Sequence, residues 1–349
     1  MNFSKELIDW YSNNKRDLPW RTTQNPYYIW LSEIILQQTQ VKQGLPYYEA
    51  FVSKYPTVFD LANATEEEVL KLWQGLGYYS RARNLHFTAK HIALNLNGIF
   101  PNDYKNLLKL KGVGDYTASA IASIAFNEVA AVVDGNVYRV LSRYFGIVTP
   151  INSTAGIKEF KTLASSLIDE TQPATFNQAI MEFGARQCKP KNPDCKNCPL
   201  QNGCIALQKN KVDELPIKLK KTKVTLKYFN FLVCIDKNKN ILFEKRSKKG
   251  IWQNMYQFPL IESDRSLNSE EFHLLNFNKK FPEISTFEYS LYNEVDIVHK
   301  LSHQHLHTKF WIVEVNELLK KSIRIEDLDK YPSPVLISDF IDTFNFDSL

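Results

Sequence analysis

The sequence predicts two domains of different class: an all-α domain over residues 1–208 and a smaller α+β domain over residues 224–349, joined by a basic linker at 209–223. Three observations carry this. The 349 residues suit two domains of roughly 150 residues each. Apolar residues recur at helical spacing up to about residue 208, and β-rich runs replace them after about 224. Between them, Lys209 to Lys227 holds seven lysines against Asp213 and Glu214, with Leu215-Pro216 and little apolar period. That segment carries the whole of the chain's +5 net charge. It reads either as a solvated tether or as a strap over an anionic partner such as DNA phosphate. With 44% hydrophobic and 23% charged residues, a disordered or fibrous chain is excluded.

The helical elements follow in order. Amphipathic stretches run over 3–11, 28–43, 66–74, 82–94, 116–126, 137–144, 157–168 and 175–183, punctuated by Gly and Pro. In the second domain, 224–235 and 241–245 read as strands joined by the turn Asp236-Lys237-Asn238-Lys239-Asn240. Residues 287–292 and 309–315 read as further strands, and 270–281 and 335–344 as helices. Cys234 falls inside the first strand and reads as buried. No internal repeat is present. No apolar run reaches the roughly 18 residues of a membrane span. The start, Met1-Asn2-Phe3-Ser4-Lys5-Glu6, does not read as a signal peptide. The expectation is a cytoplasmic, nucleoid-associated protein in which disulfides are not favoured.

Three local patterns carry chemistry. Leu110-Lys111-Gly112-Val113-Gly114-Asp115-Tyr116-Thr117-Ala118 sits between two helical stretches. Gly112 and Gly114 permit positive φ and close approach of a ligand. Free amides at the start of the next helix then make an anion site. This is the helix–hairpin–helix pattern, which grips DNA phosphate and not bases. Asp134 follows the apolar run Ala130-Ala131-Val132-Val133 and precedes a helix, so it reads as an N-cap, as a carboxylate facing developing positive charge, or as both. Glu33 is the only ionisable group in a strongly apolar stretch, with Trp30 and Gln37 on its own helical face. Pattern alone favours a surface glutamate; burial would raise its pKa and make it a general acid.

Two clusters of soft ligands stand out. Cys188, Cys195, Cys198 and Cys204, with Pro193 and Pro199 between them, form a ligand-wrapping loop. Four thiols in a reducing compartment suit a structural zinc or a 4Fe–4S cluster, and spacing does not separate the two. His299, His303, His305 and His307 could be ligands but read more simply as alternating strand residues.

Taken together these residues resemble the MutY family of adenine DNA glycosylases. The resemblance rests on Asp17-Leu18-Pro19-Trp20-Arg21, Trp30-Leu31-Ser32-Glu33, Leu36-Gln37-Gln38-Thr39-Gln40-Val41 and Gly75-Leu76-Gly77-Tyr78-Tyr79-Ser80-Arg81. It also rests on Gly112-Val113-Gly114, Asp134-Gly135-Asn136-Val137 and the cysteine loop. It implies a helix–hairpin–helix glycosylase domain with an iron–sulfur loop, a 4Fe–4S cofactor, and a nudix-like C-terminal domain. It implies removal of adenine opposite 8-oxoguanine or guanine in duplex DNA, by a monomer, after base flipping. Glu33 would protonate adenine, Asp134 would stabilise the sugar cation, Asn136 would orient Asp134, and Tyr116 and Arg21 would shape the pocket. Gln38, Thr39, Leu76 and Tyr78 match DNA-contacting positions, Gln38 and Tyr78 as wedges. Ser302 and His303 match the pair that reads 8-oxoguanine, although Leu301 stands where the family more often has Phe. The acidic helix of nudix pyrophosphatases does not follow Gly250–Pro259, so recognition without hydrolysis is expected.

Two other readings define what tests must separate. Glycosylase/lyases of the endonuclease III type share the helical domain but place a nucleophilic lysine where this chain has Tyr116. A non-catalytic lesion-binding module would need neither Glu33 nor Asp134.

Overall fold

The structure, a computed structural model, describes residues 3–219 and 224–346. Lys220, Lys221 and Lys223 of the expected linker lie outside the described residues. In chain order the helices up to residue 208 are α1 (Phe3–Asn14), α2 (Pro26–Leu36), α3 (Val41–Lys54), α4 (Val58–Asn63), α5 (Glu66–Leu72) and α6 (Ser80–Asn95). They continue with α7 (Tyr104–Leu107), α8 (Asp115–Phe126), α9 (Gly135–Phe145), α10 (Thr154–Leu167), α11 (Pro173–Arg186) and α12 (Ile205–Gln208). The described residues form two compact units that do not follow the chain: 3–63 with 84–219, and 64–83 with 224–346. The sequence reading placed 64–83 with the helical domain; its contacts place it with the C-terminal one.

In the first unit α2 is apolar almost all round, and Tyr27, Ile29, Trp30, Leu31, Ile34 and Ile35 are all buried. A helix of that composition belongs inside a domain. The expected stretch 28–43 is not one helix. It ends at Leu36, Gln38 turns into the left-handed region at φ 56°, and helix resumes at Val41. A second core packs Leu7 of α1, Val137, Val140 and Leu141 of α9, Phe160 of α10, and Phe176 and Phe183 of α11. The described part of the linker is not free. Ile151 N donates to Ile217 O at 3.0 Å, Leu219 N to Asn152 Oδ1 at 2.8 Å, and Arg143 Nε to Leu215 O at 3.1 Å.

The second unit is built on a mixed sheet. Strands β1 (Thr225–Asp236), β2 (Asn240–Ile241), β3 (Glu244–Lys245), β4 (Tyr256–Gln257), β5 (Leu260–Ser263), β6 (Phe287–Leu291), β7 (Ile297–Lys300), β8 (Gln304–Val315) and β9 (Ile323–Arg324) run in that order. The long strands β1 and β8 pair in parallel, from Thr225 opposite Gln304 to Asp236 opposite Val315. β6 and β7 flank β8 antiparallel, β2 and β5 pair with β1, β9 pairs with β2, and β3 pairs with β4. Alternation sends Leu232, Cys234, Trp311 and Val313 into one core with Phe272 and Phe277. Phe231 and Phe310 stack on each other, and Phe310 stacks on Phe340 of the C-terminal helix Val335–Thr343. The turn 236–240 is closed by the Asp236 carboxylate, which accepts from the amides of Asn238 and Asn240. The expected helix at 270–281 is instead a 3-10 turn, Ser269–Leu275, and a short helix, Phe277–Lys280, broken at Asn276 with φ 50°.

Candidate active site

The hairpin lies between α7 and α8. Gly112 has φ +83°, and a Cβ there would come within 2.8 Å of Asn84 Cβ, so only glycine fits. Gly114 is different. Its φ of −94° and ψ of −178° are ordinary extended backbone, and a Cβ would meet nothing. The expectation that both glycines serve positive φ holds for Gly112 alone. Gly114 instead leaves open space in front of the first, unpaired amides of α8.

Two residues beyond Gly114, Tyr116 points into a cavity of about 720 Å³ that also gathers Arg21, Glu33, Gln38, Thr39, Asp134 and Asn136. Glu33 is buried at 8% exposure. Burial pushes its carboxyl up from 4.5 to about 7, and the nearby Asp134 charge adds to this. A hydrogen-bonding interaction with Tyr116, and the charge of Arg21, pull the other way. The Tyr116 hydroxyl also lies 3.2 Å from Met181 Sδ. Glu33 is therefore no surface residue, because α2 has no solvent-facing side here.

Asp134 is the N-cap of α9. Its Oδ1 accepts from Asn136 N at 2.9 Å and Val137 N at 2.8 Å, and its Oδ2 accepts from Asn136 Nδ2 at 2.8 Å. Burial raises its pKa, opposed by these donors and by the Arg139 charge. Such a donor set suits the ionised form. Asn136 is itself fixed: Arg139 Nη2 donates to its Oδ1 at 2.8 Å and to Gly184 O at 2.6 Å, while Arg139 Nε donates to Cys188 O at 2.7 Å.

Sequence reasoning missed Glu182, which also lines the cavity. Arg16 Nε and Nη2 grip its two oxygens at 2.8 and 2.6 Å, and Arg21 Nη2 donates to Oε2 at 2.7 Å. It is 1% exposed, and despite that burial the two guanidinia hold its pKa down at about 2. The available signal was a lone carboxylate among Ile180, Met181 and Phe183. Arg21 is thus locked before any substrate arrives.

The other expected DNA-contacting residues are gathered in the second unit. Leu76, Tyr78, Ser302 and His303 line a cleft of about 530 Å³ with Trp252 and His299. Tyr78, at φ 47°, shares with Gln38 a left-handed backbone that non-glycine residues rarely adopt. Such outliers concentrate at functional sites. Ser302 Oγ and His303 Nδ1 lie 3.4 Å apart at the exposed β7–β8 turn. The four histidines spread over a hairpin: His299 on β7, His303 in the turn, and His305 and His307 on β8. His307 Nδ1 pairs with Asp296 Oδ2 at 3.1 Å.

The four cysteines of the loop are free thiols, each half-buried. Cys188 and Cys198 pack against the helical core. Burial pushes the Cys198 thiol up to about 12 and raises Cys195 and Cys204, and the other thiols of the loop add to each shift. Arg143 Nη1 lies 3.4 Å from Cys188 Sγ, a cation beside the donor set. Among the described residues no three His, Cys, Asp or Glu side chains are drawn together as ligands of a single metal ion. In its chemistry alone the donor set, four thiols of one loop with a guanidinium beside Cys188, fits a thiolate-held cluster with net negative charge.

A glycine hairpin that opens onto the first amides of α8, beside a cavity holding a buried glutamate with a raised pKa and a capped aspartate, suits a helix–hairpin–helix base excision enzyme. Residues 31–162 match the HhH-GPD superfamily base excision DNA repair proteins, and residues 230–343 match the NUDIX domain. A thermostable thymine-DNA glycosylase superposes with a TM-score of 0.55 at 32% identity, over 59% of this chain and 95% of its own. Endonuclease III in a non-covalent DNA complex shares the fold, with a TM-score of 0.52 at 24% identity, over 59% and 94%. The adenine DNA glycosylase of Buchnera aphidicola subsp. Baizongia pistaciae is 37% identical over 317 residues, 89% of this chain and 86% of that one. The human adenine DNA glycosylase is 45% identical over 222 residues, 61% of this chain and 41% of that one. The chain belongs to the adenine DNA glycosylase family and acts on DNA in base excision repair. Among the described residues no helix is long and apolar enough to cross a membrane.

Proposed function

We propose that the enzyme removes adenine mispaired with 8-oxoguanine or guanine, as a monofunctional glycosylase. The observation that carries the mechanism is the pairing in one cavity of Glu33, with a pKa near 7, and Asp134, held by three N–H donors. Adenine within a stack is out of reach, so it is flipped at a cost of about a few kcal/mol. The amides at the start of α8 take a backbone phosphate, and Gln38 and Tyr78 wedge the duplex open. Glu33, half-protonated near pH 7, donates its proton to adenine N7. The glycosidic bond then breaks with its electron pair on the base, and adenine departs neutral. The sugar becomes an oxocarbenium ion, which the Asp134 carboxylate stabilises across the ring. Water adds to the anomeric carbon, losing its proton to a carboxylate, and leaves an abasic site. Asn136, oriented by Arg139, keeps Asp134 aimed, and Arg21, locked by Glu182, shapes the base pocket.

Tyr116 provides no amine for a Schiff base, which supports base release without strand cleavage. Ser302 and His303 would read the oxidised base opposite. Cys188, Cys195, Cys198 and Cys204 would hold a 4Fe–4S cluster, which when bound supplies iron–thiolate bonds that brace the loop beneath Arg139 and Arg143.

The test uses a labelled duplex with one adenine opposite 8-oxoguanine, beside a thymine-glycol duplex, each with and without hot alkali. Breaks on the first duplex only after alkali are expected. Breaks on thymine glycol without alkali would overturn the proposal in favour of a lyase.

A further inference from the structure

The helix α5 opens on Glu66-Glu67-Glu68, a run that ordinarily complements the positive end of a helix. Glu68 caps that end, in a capping box with Thr65. Glu66 and Glu67 also reach the C-terminal domain. Lys245 Nζ of β3 donates to Glu67 Oε1 at 2.8 Å, and the Tyr256 hydroxyl of β4 donates to the same oxygen at 3.0 Å. Asn254 Nδ2 donates to Glu66 Oε1 at 2.6 Å. Nearby, Arg83 Nη1 donates to Gln253 O at 3.0 Å and Ser333 N to Gln74 Oε1 at 3.2 Å.

Both ends of this joint are tied by hydrogen bonds. The turn that carries Tyr78 is held by Trp73 Nε1, which donates to Gly77 O at 3.0 Å, and by Arg81 Nη2, which donates to Leu76 O and Gly77 O. On the other side Gly250, Trp252 and Asn254 all have positive φ, and Arg246 ties the loop through Ile251 O, Met255 O and Asn254 N. The Trp252 ring meets the His299 ring of β7 at 5.7 Å. From His299 the chain runs directly into Leu301, Ser302 and His303. Tyr78, Trp252, His299, Ser302 and His303 then line one cleft.

We propose that Glu66 and Glu67 are specificity-positioning residues. They dock the Tyr78 turn onto the β3–β4 hairpin, so that the wedge and the Ser302–His303 reader form one preorganised clamp on the base opposite adenine. This rests on the proposed reading of 8-oxoguanine by Ser302 and His303. The Tyr78 wedge serves both substrates, but guanine lacks the oxidised edge that Ser302 and His303 read, so loss of register costs the lesion substrate more.

The test compares E67K, K245E and the charge swap E67K/K245E in the full-length protein. Single-turnover base release is measured on adenine opposite 8-oxoguanine and opposite guanine. Amide hydrogen exchange of residues 66–79 is measured in parallel. Each single reversal should cut the 8-oxoguanine to guanine rate ratio by about three- to tenfold, the 8-oxoguanine rate falling further than the guanine rate. It should also speed exchange in 66–79, and the swap should restore both. A swap that restores neither, or singles that move neither, overturns the proposal. If the wild type shows no preference for 8-oxoguanine, the reading of that base fails. Exchange then decides the docking alone: acceleration reversed by the swap keeps the joint, and no acceleration removes it.

Discussion

Glu33→Gln separates stability from catalysis and tests the central claim about the site. Burial lifts the Glu33 carboxyl from 4.5 to about 7 in the folded protein. A carboxyl so displaced disfavours the ionised folded state by about 3 kcal/mol, at ~1.36 kcal/mol per tenfold change. The sign follows from linkage. The folded state binds the proton more tightly than the unfolded chain, so stability is fully present below 4.5 and is lost as pH rises through about 7. The amide introduced by Glu33→Gln cannot ionise and escapes this loss. The stability gained by the substitution should be about 2–3 kcal/mol larger at pH 8 than at pH 5, and the comparison between pH values cancels any constant effect of the amide. Urea midpoints at the two pH values measure it. Base release should disappear in the variant, while duplex binding stays. In the wild type, release should fall above pH 7, approaching roughly tenfold per pH unit. A stability gain equal at both pH values, or a variant that still releases adenine, would refute the assignment of Glu33 as the buried acid.

Three further outcomes are expected. Glu182→Gln leaves Arg16 and Arg21 facing a neutral partner and should destabilise the first unit by about 3–5 kcal/mol, read from denaturation midpoints. Because the folded Glu182 pKa lies at about 2, the stability from this cluster is present above 4.5 and lost as pH falls towards 2. Gly112→Ala should lower stability by about 1–2 kcal/mol through its positive φ and the Asn84 clash; Gly114→Ala should leave the melting temperature unchanged and weaken duplex binding, and equal melting losses in both would contradict the hairpin geometry. Cys198→Ser should reduce bound iron and visible absorbance; a colourless, zinc-containing wild type would exclude the cluster.

Much of the site was legible because its signals are local. The positive φ of Gly112 and the capping position of Asp134 are each read within a few residues, where spacing dictates backbone geometry and side-chain neighbours. The change from helical to strand texture near residue 224 is also local. Glu33 was harder. Its apolar surroundings were visible, yet the same pattern fits one face of a surface helix, and only packing around α2 shows that no face is left for solvent.

Other features depend on partners or packing that no local pattern specifies. Glu182 meets Arg16 across 166 residues of chain, and nothing in either segment names the other. The break at 37–40, which puts Gln38 in the left-handed region, lies inside a run whose periodicity reads as continuous helix. Gly114 sits in a glycine motif but has extended backbone, so its value lies in the space before it. The docking of 64–83 on the C-terminal domain depends on Glu66 and Glu67 finding Asn254, Lys245 and Tyr256. The sequence by itself determined most of the elements, the place of the glycine hairpin and the family, since hydrogen bonding and side-chain period act along the chain. Tertiary structure alone decided which carboxylates have their pKa raised or lowered, which guanidinia are locked, and with which domain Tyr78 packs, because burial and charge pairing depend on which surfaces meet.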